Sequence, residues 1–457
     1  MRERVDLLEG NTTKTLIKLA LPIVGSSFLQ VAYNLVDTAW VGAVGSSAIT
    51  ALGTAGLLLW FWVGIGIIPQ MGGQILMAQA LGADDKEAAL KYAETTVQMM
   101  IALMLIGNVS VILFRGQFVS FFNLRDPMTV QHTEAYLFIT SFGLVSMGFA
   151  WAMTGLLTAT GDSAPTFRYN SAGLIMNMVL DPLMIFGLGP FPKMGVEGAG
   201  LATMLSQIFV AVLFIKYIIK DKYIFSRMRI LKPIAPKEAK EIAKLGFPPA
   251  IQSIGFACIT MVISRFVVTF GDANIAIQRI GSQIESITWM TADGFAVATN
   301  ALVAQNYGAG KLGRVKEGYY SALKVAAVIG SVTSIILFIW AGDVYSIFIR
   351  DREIISGGSE YMHIVAVSQL FMCLEAMVTG AFGGVGKTKF PAAVSLIVTG
   401  SRIPFAMLLT AKLGSVAGVW WAISLTSVVK GTVMPVAFRI HMRKYENENT
   451  TTEGADD

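Results

Sequence analysis

Twelve apolar stretches of about 20 residues or more recur along this chain, each long enough to cross a hydrocarbon core about 30 Å thick. They lie near 16–39, 50–79, 93–114, 132–157, 167–187, 198–220, 243–268, 281–305, 318–341, 360–383, 391–411 and 415–438. Lipid offers no partner to backbone N–H and C=O groups, so a spanning run of this length must close its hydrogen bonds internally, as a helix. Composition agrees: 54% of residues are hydrophobic and 14% charged, whereas soluble domains carry about 25% charged residues. The expected fold class is an all-α membrane protein with twelve transmembrane helices.

The twelve divide into two sixes because the chain is duplicated. At a shift of about 226 residues, Ile17-Lys18-Leu19-Ala20-Leu21-Pro22 falls on Ala243-Lys244-Leu245-Gly246-Phe247-Pro248, and Gln79-x-x-Gly82-Ala83 on Gln305-x-x-Gly308-Ala309. With a small drift, Val196-Glu197-Gly198 aligns with Val416-Ala417-Gly418. Six spans return the chain to its starting side, so the second copy enters in the same orientation and the repeats are parallel. The expected organisation is an N-terminal six-helix bundle at 1–220, a cytoplasmic linker at 221–242, a C-terminal bundle at 243–438 and a polar, disordered cytoplasmic tail at 439–457.

Orientation follows from the basic residues. With the N-terminus inside, about 25 of the 35 Lys and Arg fall on the cytoplasmic side, including Lys220, Lys222, Arg227, Arg229 and Lys232 between the halves. Both termini are therefore expected in the cytoplasm of a multi-pass protein of the inner membrane. The net charge of +5 is then a matter of topology and gives no reason to expect nucleic-acid binding. The first 15 residues hold no apolar run ahead of a cleavage site, so no removable secretory signal is expected. Cys258 and Cys373 sit mid-span and read as packing residues, and His132, His363 and His441 lack metal-ligand spacing. Gly383-Gly384-Val385-Gly386-Lys387-Thr388 imitates the end of a phosphate-binding loop, but Ala381 stands where the first glycine is required and the run follows a membrane helix rather than a strand. With no ATP site, no cofactor, and neither a nucleophile nor a metal constellation, the chain is expected not to be an enzyme, and its energy source is most simply an ion gradient.

Ionisable side chains inside spans carry the remaining information, since each costs roughly 2.5–3.5 kcal/mol at a span's centre. Gln30, Tyr33, Asn34 and Asp37 recur at three- and four-residue steps and form one polar stripe on the first span. Asn170, Asn177 and Asp181 do so on the fifth, where Pro182 lacks an N–H, frees the carbonyl of residue 178 and is expected to kink the helix beside the acid. A proton, or a desolvated sodium ion shared by Asp37 and Asp181, would relieve the cost of burying both charges. The bland alternative is that neighbours satisfy each acid and lock helix packing. The second half has its own buried charges, Arg265, Glu285, Asp293, Glu375 and Arg402; two of the acids are expected to pair with the two arginines as structural salt bridges, with Glu375 also open as a second coupling or substrate carboxylate. Asp293 and Glu285 are candidates for a span's edge. The duplication fails at these positions: Asp37 falls on Ile263 and Asp181 on Ile403.

The sequence resembles the multidrug and toxic compound extrusion (MATE) family of the MOP exporter superfamily over nearly its whole length. The marks are Leu8-Glu9-Gly10-Asn11 leading to Leu19-Ala20-Leu21-Pro22, the segment Asn34-Leu35-Val36-Asp37-Thr38-Ala39-Trp40-Val41-Gly42, and the duplicated Gln-x-x-Gly-Ala motifs. Asn177-x-x-x-Asp181-Pro182 adds a match to the DinF-like branch. The resemblance implies two six-helix bundles forming a V that export diverse, often cationic amphiphiles in exchange for H+ or Na+ by alternating access. It implies Asp37 as the main coupling carboxylate, gathered with Tyr33, Asn177, Asp181 and Thr203, and a substrate cavity lined by Gln30, Asn34, Tyr136, Met153 and Thr154. The protein would work as a monomer on small organic cations. A lipid-linked oligosaccharide flippase of the same superfamily is the alternative, but it needs a cationic cavity to hold pyrophosphate, and the candidates here are acidic. An ion channel needs a pore-lining motif that two unequal halves do not offer.

Overall fold

The computed structural model describes residues 4–453, and among them the secondary structure is helical. In chain order the helices are α1 (Thr12–Gly42), α2 (Ser46–Gly82), α3 (Lys86–Phe121), α4 (Pro127–Ser141), α5 (Leu144–Ala159), α6 (Ala164–Phe186) and α7 (Val196–Lys220). After a 3-10 turn at Phe225–Arg227 come α8 (Pro236–Val268), α9 (Asp272–Gly308), α10 (Leu312–Ile339), α11 (Ala341–Ser346), α12 (Arg352–Gly384), α13 (Lys389–Gly400), α14 (Arg402–Leu413) and α15 (Ala417–Glu453). Each of the twelve expected segments falls on one helix or on a pair in sequence. The fourth is the pair α4–α5, bent by 51° at Phe142-Gly143, and the eleventh is α13 and α14 meeting at Ser401.

Among the described residues, nine helices are long and apolar enough to cross a membrane, and ten if the bent pair is one span. The two expected spans outside that set are α6 and α9. Arg168, Asn170, Asn177 and Asp181 dilute the first, and Arg279, Glu285 and Asp293 the second. Both of these helices carry candidate acids, Asp181 on α6 and Glu285 and Asp293 on α9. α6 runs unbroken through Pro182 to a left-handed cap at Gly187.

The helices group into two compact units, and their limits correct the expected boundaries. Among the described residues, unit 1 holds Arg4 and Gly25–Ala250, and unit 2 holds Val5–Val24 and the chain from Ile251 on. Thus α1 begins in unit 2 and ends in unit 1, and α8 does the reverse. Each changes unit shortly after a proline, Pro22 in α1 and Pro248-Pro249 in α8. Proline removes one i→i−4 hydrogen bond and crowds the preceding turn, so a helix can yield there without ending.

Local contacts explain why the expected linker belongs to unit 1. Asp221 accepts hydrogen bonds from the N–H groups of Tyr223, Ile224 and Phe225 and pairs with Arg4 at 2.7 Å. Ile224 and Phe225 are buried, and the Tyr92 hydroxyl donates to Glu241. The first part of α8 crosses α2 with the backbones in contact. A Cβ at Gly72 would lie 2.1 Å from the Ile242 carbonyl oxygen, and one at Gly246 would lie 1.9 Å from that of Ile68. Small residues permit such approaches between membrane helices, where close packing rather than water exclusion drives association. The repeat mates of this pair in unit 2 are Ala20 and Ala298, buried in one cluster with Leu16, Leu19, Val24, Ala292 and Phe295.

The tail also differs from expectation, because α15 continues to Glu453. Met434, Phe438 and Met442 recur every fourth residue and are buried against Tyr319 and Phe382, while Tyr445 meets Tyr307 ring to ring. This apolar stripe carries the helix past the span's end; residues 454–457 lie outside the described residues. The phosphate-loop mimic is the turn from α12 to α13, and Gly384 there is packed so that a Cβ would sit 2.8 Å from the Asn300 carbonyl oxygen.

Replacing Gly246 with valine should cost roughly 3 kcal/mol, the upper part of the usual overpacking range, read as a lower thermal unfolding midpoint in detergent. Gly53→Ala on α2, where nothing lies within 4 Å, should leave the midpoint unchanged or raise it.

Candidate functional site: an acid pair in unit 1

In unit 1 the second part of α1 presents Tyr33 and Asp37 one turn apart, and α6 presents Asn177 and Asp181 one turn apart. Asn177 is 3% exposed and Asp181 is fully buried. The Asn177 amide donates to Asp181 Oδ1 at 3.1 Å, and the carboxyl groups of Asp181 and Asp37 engage each other side chain to side chain. Asp181 Oδ2 and Asn177 Oδ1 are buried and receive no hydrogen bond. Beside them lie Tyr33 from α1, Tyr136 from α4 and Thr203 from α7. Four helices therefore converge on a cluster with an excess of acceptors. Two carboxylates in contact repel unless a proton or a cation sits between them, and here no protein donor fills that place.

The other unit 1 candidates are arranged less uniformly. The Gln30 amide donates to Asn34 Oδ1 at 3.2 Å, and Asn34 is exposed, so the stripe on α1 divides into an acid-facing part and an exposed amide part. The Thr154 hydroxyl donates to the Ala150 carbonyl of its own helix at 2.9 Å and accepts from the Asn170 amide at 3.5 Å. Met153 is fully buried in packing.

In unit 2, Glu285 and Glu375 have partners, but not the arginines expected. Glu285 on α9 accepts from the Tyr361 hydroxyl and, at 3.2 Å, from the Gln369 amide, both on α12. Glu375 on α12 pairs with Lys430 on α15 at 2.8 Å and accepts from Ser395 on α13 at 2.7 Å. Arg402 is buried and donates to the hydroxyls of Thr426 at 2.9 Å and Ser427 at 3.0 Å. Arg265 lies on an exposed face of α8, and Asp293 is exposed on α9. The expected carboxylate–arginine pairs are thus replaced by a lysine pair and by hydroxyl partners. Lys430 was detectable as an intramembrane charge in the last apolar stretch, whereas Tyr361 and Gln369 have no mark in a single sequence. Among the described residues, no group of three or more His, Cys, Asp and Glu side chains is placed to hold a metal ion.

Fold and site together define an internally duplicated helical membrane transporter. A MatE family model matches residues 22–183 and 248–408, one copy in each half. The chain belongs to the MatE family, whose members are transporters and not enzymes. It is 29% identical over 439 residues to a probable multidrug resistance protein NorM of Thermotoga maritima, covering 93% of this chain and 92% of that one. The multidrug export protein MepA of Staphylococcus aureus is 22% identical over 443 residues, 96% of this chain and 97% of that protein. Among solved structures, a MATE protein in complex with MaD3S superposes with a TM-score of 0.89 at 21% identity, covering 98% of this chain and 100% of that one.

Glu375→Gln should leave the buried Lys430 ammonium unpaired and cost about 3–5 kcal/mol, measured as loss of thermal stability in detergent. The double variant Glu375→Gln with Lys430→Met should recover most of that loss, since it removes the stranded charge together with its partner.

Proposed function

We propose that this multidrug efflux transporter is an antiporter of the DinF-like branch. It exports organic cations and amphiphilic drugs in exchange for H+ or Na+ by alternating access, with Asp37 and Asp181 as the coupling pair. The observation that carries this reading is the acid pair itself, in which buried oxygens of Asp181 and Asn177 have no donor and Asp37 is their neighbour. When a proton or sodium ion occupies the pair, the local negative charge falls and a bound lipophilic cation loses its attraction. When the ion leaves, the charge returns. Ion and drug then exclude one another, which is the thermodynamic requirement for exchange. Thr203 and Tyr136 bring α7 and α4 beside the same place, so residues of four helices surround the pair. The names of the relatives, multidrug resistance and multidrug export proteins, agree with such a substrate range.

The basic segment between the halves, with Lys220, Lys222, Arg227, Arg229 and Lys232, supports a cytoplasmic location for both termini in the inner membrane. The protein acts as a monomer in this reading, since one chain supplies both members of the acid pair. A flippase for lipid-linked sugars would need free intramembrane cations to hold pyrophosphate. Here Arg402 is bound by two hydroxyls and Lys430 by Glu375, which argues against it.

Vesicles containing the purified protein and a fluorescent organic cation, given a pH gradient alone or a sodium gradient alone, test the assignment. One of the two gradients should drive export by the wild type, and Asp37→Asn and Asp181→Asn should fall to the rate of protein-free vesicles. Unchanged transport by Asp37→Asn would remove the acid pair from the mechanism. Movement of a lipid-linked sugar without any organic cation would establish the flippase instead.

A further inference from the structure

The segment joining α7 to α8 holds a side chain whose exposure neither the transport site nor the topology explains. Leu231 is 102% exposed, the most exposed of the large apolar residues. It sits in a turn closed by a hydrogen bond from the Lys232 N–H to the Arg229 carbonyl at 3.2 Å. That turn is clamped from behind by α3. The Gln98 amide donates to the carbonyls on both sides of Leu231, those of Ile230 at 2.9 Å and Lys232 at 2.6 Å, and Glu94 accepts from the Arg229 N–H at 2.6 Å. With both flanking peptides held inward, the Leu231 side chain is displayed outward on a fixed support. An aliphatic group held in water forgoes the free energy of burial, and Ile234, three residues on, is exposed as well.

Charge and position bear on what the turn meets. Lys216, Lys220, Lys222, Arg227, Arg229, Lys232, Lys237, Lys240 and Lys244 are all exposed, and the acids in the same stretch are Asp221, Glu238 and Glu241. Asp221 is already engaged by Arg4 and by three backbone N–H groups, and Glu241 by Tyr92. On α7 the exposed residues Ile208, Val212, Ile215 and Ile219 form a stripe at three- and four-residue steps, the spacing of a lipid-facing ridge, and the basic segment begins where the stripe ends. We propose that residues 227–234 form a membrane-surface anchor, in which Leu231 enters the boundary between headgroups and acyl chains while Arg227, Arg229 and Lys232 bind anionic phospholipid headgroups. Clustered basic residues beside a span attract anionic lipid within a screening distance of about 8 Å at physiological salt, and an inserted aliphatic side chain adds the apolar contribution.

The test uses the full chain with Cys258→Ser, Cys373→Ala and a spin label at Leu231→Cys. It is reconstituted in nanodiscs of phosphatidylcholine alone, or of phosphatidylcholine with about a quarter phosphatidylglycerol. The ratio of oxygen to nickel-chelate accessibility at position 231 should rise about threefold in the anionic discs, as for a side chain leaving water for the acyl boundary. A label at Lys237→Cys should stay water-accessible in both. Adding Arg227→Gln, Arg229→Gln and Lys232→Gln should return position 231 to its phosphatidylcholine value. Gln98→Leu, which removes the clamp, should increase label mobility and weaken the lipid signal. A label at 231 that remains equally water-accessible in both lipids would overturn the proposal. So would spin–spin broadening in detergent, since it would show that a second copy of the chain covers the site.

Discussion

A carboxylate held among apolar helices needs a donor or a cation within reach, and the two halves of this chain meet that need differently. Unit 2 meets it from its own residues: a lysine and a serine hold Glu375, and a phenol and an amide hold Glu285. Unit 1 places Asp37 beside Asp181 and leaves the contact without a donor. The first arrangement is permanent, because breaking it would strand a buried charge. The second leaves buried oxygens of Asp181 and Asn177 without a donor. One duplicated scaffold thus holds one set of acids closed on protein partners and another with acceptors to spare.

The scaffold that holds the acids depends on close approach. Gly72 and Gly246 let α2 and α8 touch backbone to backbone, and their repeat mates Ala20 and Ala298 occupy the matching crossing in unit 2. Asn177 and Asp181 on α6, and Glu285 on α9, are held by partners rather than by lipid compatibility.

Much of this was legible in the sequence, for physical reasons. A run of about 20 apolar residues has few fates other than a membrane helix, and each of the twelve falls on a helix or on a consecutive pair. Asp37 and Asp181 stood out because an acid within such a run is costly, and the three- and four-residue steps placed Tyr33 and Asn177 on the same faces. The identity of each acid's partner was hidden, because pairing depends on which helix faces are apposed. Arginines looked the natural mates of Glu285 and Glu375, yet Lys430, Tyr361 and Gln369 are nearer. The unit limits were hidden too. Composition places a boundary in the polar segment after Lys220, but Ile224 and Phe225 bury themselves in unit 1 and both crossing helices continue through their prolines. The stripe Met434, Phe438 and Met442 was visible in principle, and the charges around it made the tail look solvated.

The exchange of α1 and α8 between the units bears on how the chain is made. Residues 5–24 leave the ribosome well before the side chains that bury Leu16 and Leu19, in α9, α10 and α12, which are synthesised more than half a chain later. The leading half-helix must therefore wait in the membrane without its partners, while unit 1 cannot close until the start of α8 has been inserted. Neither half of the gene encodes a unit that could finish folding alone.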